Sequence, residues 1–150
     1  MQNHIWARVW ARARGDKGQA LVESALVLPI LLFVLFGIAR FGITFNNHIM
    51  LTDAARTGAR LLAVSRAHTT EPCSMTRTRI QTASMLPVAS LNITLRINNI
   101  DYTAATCPNV TLVSGSDVRV TVTYPCNLMV LGVDFKSGCV LEARSTERVE

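Results

Sequence analysis

Four cysteines, three histidines and one isolated carboxylate are the side chains whose chemistry needs an account in this 150-residue chain. Cys73, Cys107, Cys126 and Cys139 form no CxxC pair, and His68 is the only histidine near any of them. That spacing opposes a zinc site. His4, His48 and His68 stand far apart, and no GxSxG, HExxH or phosphate-cradling glycine loop occurs. An enzyme would need a nucleophile with a base, a metal cluster or paired carboxylates, and none of these is spelled out. The expectation is no enzyme, no metal and no cofactor. Glu23 is the informative residue. It interrupts an apolar run, where a carboxylate costs roughly 2.5–3.5 kcal/mol near a bilayer interior and so normally has a partner. Either it lies at headgroup level and pairs with Lys17 or Arg14, or an apolar assembly holds it against a cation from another chain.

The element that carries Glu23 is a hydrophobic segment. Ser24 to Ala39 is sixteen residues without a charge, and Gln19–Val22 extend the stretch to about 20. At ~1.5 Å per residue this crosses a hydrocarbon core of about 30 Å. The chain is 49% hydrophobic and 17% charged, which excludes global disorder. Its net charge of +5 is unevenly placed: Arg8, Arg12, Arg14, Asp16 and Lys17 sum to +3 before Leu21. From Glu23 onward eleven basic residues face nine acidic ones. Trp6 and Trp10 lie among those early arginines, a pattern that suits a membrane surface and not a nucleic acid. A basic flank before the span, with only Arg40 between the span and Asp53, places residues 1–18 in the cytoplasm and 41–150 outside. A buried core helix is one competing reading. A secretory signal cleaved after Gly37-Ile38-Ala39 is another, opposed by the long basic region and by Glu23 at the head of the apolar run.

Gly18 lies five residues before Glu23, directly after the basic leader. A basic leader, Gly, four residues, Glu and a long apolar helix is the class III signal arrangement of type IV-like pilins. Three stretches make the likeness more specific: Gly18-Gln19-Ala20-Leu21-Val22-Glu23-Ser24-Ala25-Leu26-Val27-Leu28-Pro29, then Phe36-Gly37-Ile38-Ala39-Arg40-Phe41-Gly42, then Leu51-Thr52-Asp53-Ala54-Ala55-Arg56-Thr57-Gly58-Ala59-Arg60. Together they resemble TadE-like (TadE/TadF) proteins, and the last is similar to that family's "AAREGAR" stretch.

The resemblance covers residues 18 to about 64. It implies a minor pilin or pseudopilin of a tight-adherence (Tad/Flp) pilus, serving adhesion or secretion. The implied location is the bacterial inner membrane, single-pass, with the N-terminus cytoplasmic and the C-terminal domain periplasmic. A prepilin peptidase would cut after Gly18, freeing an α-amine on Gln19 and making Glu23 the fifth residue of the mature chain. That ammonium and the carboxylate of a neighbouring helix can neutralise one another. The implied partners are the membrane, the peptidase, other pilin or pseudopilin subunits and the pilus assembly platform, with no nucleic acid and no small-molecule substrate. Ser24 stands where major Flp pilins carry Tyr, and the chain is far longer than they are, so the main filament subunit is not expected.

Downstream, Phe41, Phe45, Ile49, Leu51, Ala54, Ala55, Gly58, Ala59 and Leu62 recur at helical spacing, which predicts one helix continuing to about Val64. Pro29 removes a backbone donor and predicts a kink. The small residues at 54, 55, 58 and 59 allow close approach, either to the chain's own sheet or to other subunits. Thr76–Leu86 predicts a short helix ended by Pro87. Leu91–Ile97 and Val118–Tyr124 alternate as strands, Asn109–Val113 predicts a hairpin partner for the second across Ser114–Asp117, and Val140–Ser145 predicts a last strand. The fold expected is α+β: a long N-terminal helix, transmembrane then amphipathic, with a small antiparallel sheet, pilin-like. Its divisions are a cleaved leader 1–18, a transmembrane helix 19–40, an amphipathic helix 41–66 and a periplasmic domain 67–150. In an oxidising compartment the four cysteines make two disulfides. Of the three pairings, Cys73–Cys107 with Cys126–Cys139 is preferred. The alternative function is an uncleaved single-pass anchor with a ligand- or surface-binding sheet domain.

Overall fold

The computed structural model describes residues 16–66, 68–107 and 112–150, with residues 16 and 17 in backbone only. Trp6, Trp10, the early arginines and Asn109–Thr111 lie outside the described residues. One helix, α1, runs from Asp16 to Val64. Its 49 residues make a rod of about 73 Å at ~1.5 Å each. Pro29 sits inside α1 without ending it. From Gly18 the helix is long and apolar enough to cross a membrane. Its two halves differ in what they touch: no residue from 18 to 50 is buried, whereas Leu51, Ala54, Ala55, Ala59 and Leu62 are wholly so.

A second helix, α2 (Pro72–Ser84), and six strands complete the chain: β1 (Asn92–Ile97), β2 (Ile100–Tyr102), β3 (Asp117–Pro125), β4 (Met129–Val130), β5 (Val133–Asp134) and β6 (Val140–Arg148). Four of them form an antiparallel sheet in the order β2-β1-β3-β6, and β4 with β5 makes a separate hairpin. The architecture is α+β, a long N-terminal helix with a small antiparallel sheet. Strict alternation builds the sheet's inner face. Ile93, Leu95 and Ile97 stand opposite Val122, Val120 and Val118, and all six are buried. On the next strand Ala143 lies opposite Val122. The C-terminal half of α1 packs on this face, with α2 against α1 beside it.

Three local expectations change. First, α2 begins four residues before Thr76, because Pro72 presets the helical φ in the first turn and lacks the N–H that would go unused there. It ends at Ser84, with Met85 left-handed (φ 53°). Second, β1 turns into the short strand β2 through Asn98 and Asn99, both at positive φ (50° and 67°), the geometry of a two-residue type I′ hairpin. Third, no strand stands at Leu112–Val113. β3 is already hydrogen-bonded to β1 on one edge and to β6 along its full length on the other, so no ladder position remains for a strand before it. The turn at Ser114–Asp117 closes onto the chain's last residues instead. Gly115 N–H donates to the Val149 carbonyl and Val149 N–H to the Ser116 carbonyl, both at 2.8 Å. Gly115 has φ +81°, which a side chain would disfavour.

Two disulfides staple this domain. Cys73–Cys107 ties the first turn of α2 to the loop after β2, and Cys126–Cys139 closes the base of the β4–β5 hairpin. Both Cα separations, 5.6 and 5.1 Å, fall in the ordinary range.

Candidate functional site

Gly18, Gln19 and Glu23 all lie in the first turns of α1. Gly18 is half-buried, and Gln19 and Glu23 are exposed. A four-residue spacing puts Gln19 and Glu23 on one helix face, about 6 Å apart along the axis. Helical side chains lean toward the N-terminus, so the Glu23 carboxylate leans toward the positive end of the helix dipole. An α-amine created at Gln19 would therefore stand one turn from Glu23 of the same chain and open to a neighbouring chain. The Gly18–Gln19 peptide itself is helical. A protease that binds extended backbone would have to unwind that first turn, which glycine's poor helix propensity eases by about 1 kcal/mol.

Around and beyond Glu23 the helix is apolar on every side. Leu21, Leu26, Ile30 and Ile38 are each more than 60% exposed, and the span's aromatic and aliphatic side chains down to Ile49 are open as well. A helix of that kind needs lipid or other helices around it. Pro29 lies within this open stretch.

The stretch Leu51–Arg60 works differently. Asp53, Arg56 and Arg60 face out, while Ala54, Ala55, Gly58 and Ala59 are buried. A β-carbon at Gly58 would lie 2.4 Å from Ile80 Cγ1, so the glycine is what lets α2 seat against α1. The close approach allowed by these small residues is used inside the chain, against its own sheet and second helix.

Arg77 holds α2 to the sheet. Its Nη1 donates to the Ile93 carbonyl and its Nη2 to the Tyr102 carbonyl, both at 2.8 Å. Partial burial lowers the pKa of this guanidinium from its ordinary value. On the sheet's outer face Arg96 forms a two-pronged pair with Asp101, each bond 2.6 Å. Among the described residues no group of His, Cys, Asp and Glu is arranged to hold a metal ion.

Nothing in residue spacing singles out Phe135, yet its ring lies 6.2 Å from Phe33 and 6.1 Å from Phe41 of α1. The signal is compositional: between Cys126 and Cys139 the chain reads Leu128-Met129-Val130-Leu131-Gly132-Val133, too apolar for an ordinary solvated loop.

The assembled site is thus a lipid- or helix-seeking rod with one carboxylate near its start, standing on a disulfide-stapled sheet domain. No curated protein and no solved structure matches the chain. Residues 18–60 match the family of TadE-like proteins, which makes this stretch of α1 a TadE-like segment.

Proposed function

We propose that this protein is a membrane-anchored minor prepilin or pseudopilin that takes part in assembling a Tad/Flp-type pilus. Residues 1–18 are a cytoplasmic leader removed by a prepilin peptidase after Gly18. Residues 19–40 cross the inner membrane, α1 continues into the periplasm, and the domain from residue 67 onward lies there. Once Gln19 is the first residue, Glu23 pairs with the N-terminal ammonium of a neighbouring subunit. That neutralises two charges which would each be costly in an apolar bundle. The observation that carries this reading is the coincidence of the TadE-like match at residues 18–60 with a helix whose apolar window has no buried residue and follows directly on the Glu23 carboxylate.

The rival reading, an uncleaved single-pass anchor whose sheet binds a ligand or surface, draws support from the helical state of the Gly18–Gln19 peptide. Intact mass and N-terminal sequencing of the membrane-fraction protein, with and without a co-expressed prepilin peptidase, separate the two. The prepilin reading expects a chain beginning at Gln19 only when the peptidase is present. A chain beginning at Met1 in both cases establishes the uncleaved anchor. Glu23→Ala is expected to leave cleavage and insertion intact and to reduce incorporation into pili. Normal pili from that variant would remove the docking role of Glu23.

A further inference from the structure

The hairpin closed by Cys126–Cys139 is seated on α1 along one side and open along the other. Val130 of the hairpin is buried at 2% exposure, and the Phe135 ring lies against both Phe33 and Phe41. Met129, Leu131, Val133 and Phe135 are nonetheless 45%, 64%, 51% and 50% exposed. This open surface adjoins the part of α1 that is itself apolar and unburied. The levels matter. Phe33 belongs to the uncharged run Ser24–Ala39, and Arg40 is the first charge after it. Seven residues at ~1.5 Å put Phe33 about 10 Å below Arg40 along the helix. A bilayer that takes up Ser24–Ala39 must therefore meet a side chain in contact with Phe33.

We propose that the Cys126–Cys139 hairpin is a second lipid-inserting element, entering the leaflet on the domain's side of the membrane beside α1. The proposal rests on the reading of α1 as a membrane span.

The hairpin's backbone is suited to that medium because much of its hydrogen bonding is internal. Met129 pairs with Asp134 and Val130 with Val133. Phe135 N–H donates to the Leu128 carbonyl at 3.3 Å, Met129 N–H to Asn127 Oδ1 at 2.9 Å and Lys136 N–H to Asp134 Oδ1 at 3.1 Å. The last of these gives the Asp134 carboxylate a partner, and the long stem of Lys136 can carry its ammonium out to the headgroups. The disulfide fixes the two ends of the loop, so the apolar turn is presented as a unit.

The test uses the full chain with Trp6→Phe and Trp10→Phe, leaving one introduced tryptophan as the fluorophore. Four variants are reconstituted into phosphatidylethanolamine–phosphatidylglycerol vesicles with brominated acyl chains: Phe135→Trp, Leu131→Trp, Phe33→Trp within the span, and Val113→Trp at the far end of the sheet. Bromine on the chains should quench about half or more of the emission from the first three and leave Val113→Trp unaffected. Quenching of Phe33→Trp without quenching of Phe135→Trp and Leu131→Trp would leave the span in place and overturn the hairpin proposal. If Phe33→Trp is also unquenched, the span reading fails and the hairpin proposal with it. Unquenched hairpin emission that shifts to the blue as the protein-to-lipid ratio rises would assign the surface to a second copy of the chain, which also overturns the proposal.

Discussion

A β-carbon added at Gly58 would meet Ile80 Cγ1 at 2.4 Å and Cδ1 at 2.6 Å, and Ile80 is wholly buried. Gly58→Ala is therefore expected to destabilise the fold by about 1–3 kcal/mol through overpacking, even though alanine favours a helix by about 1 kcal/mol over glycine. Denaturant unfolding in detergent measures it, and trimming the neighbour with Ile80→Val in the same chain should recover part of the loss. The spacing of Ala54, Ala55, Gly58 and Ala59 made a close approach legible. It did not say what approaches, because Ile80 lies on another element. A second residue-scale prediction concerns Asp101, whose carboxyl is held below its ordinary value of 3.8 by the hydrogen bond from Arg96. A carboxyl depressed in the folded state adds stability that is complete above its unfolded value and is lost as pH falls through its folded value. The pair is exposed, so the contribution is small. Thermal midpoints of the wild type and Asp101→Asn should differ slightly near neutral pH and converge once the pH falls well below 3.8.

Elements explain which disulfide matters to the fold. Cys73–Cys107 joins points 34 residues apart, a loop whose closure is worth roughly 3–4 kcal/mol in the chain-entropy account. It also pins α2, which buries Cys73, Thr76, Ile80 and Ser84 against the core. Replacing both cysteines by serine should lower the unfolding free energy by about that amount, read from denaturant titrations without reductant. The Cys126–Cys139 loop is shorter, 13 residues, and the β3–β6 ladder already sets Pro125 opposite Val140 at its base. Its removal is expected to cost less and to loosen the hairpin locally, which proteolysis between residues 126 and 139 would register. Element types were legible wherever periodicity ran long: α1, β1 and β3 follow from apolar spacing alone. The strand expected before β3 failed because alternation tells a strand from a helix but not which edge is still free. The two-residue turn at Asn98–Asn99 carried a hairpin signal, overshadowed by the longer run beside it.

For the whole molecule the consequence is a chain whose two ends want different surroundings. Leu31→Arg, near the middle of the uncharged run, is expected to cost roughly 2.5–3.5 kcal/mol on insertion and to shift protein out of the membrane fraction after alkaline extraction. The inserted fraction should carry both disulfides and the non-inserted fraction free thiols, as mass mapping under non-reducing conditions would record. By itself the sequence determined that an apolar rod follows a basic flank, that a carboxylate stands at its head, and that an alternating sheet with four cysteines comes after. Those are properties of charge, length and period along one strand of chain, and they need no partner to be read. Only the tertiary structure decided that the small residues of α1 are used on its own α2 and sheet. It also decided that β3 is closed on both edges and that Phe135 rests on Phe33 and Phe41, whereas the cysteine pairing, 73 with 107 and 126 with 139, is the one the sequence already favoured. Each of these joins segments distant in the chain, Phe33 and Phe135 by about a hundred residues. The physical reason is that shape complementarity and free hydrogen-bond edges exist only once the elements are packed.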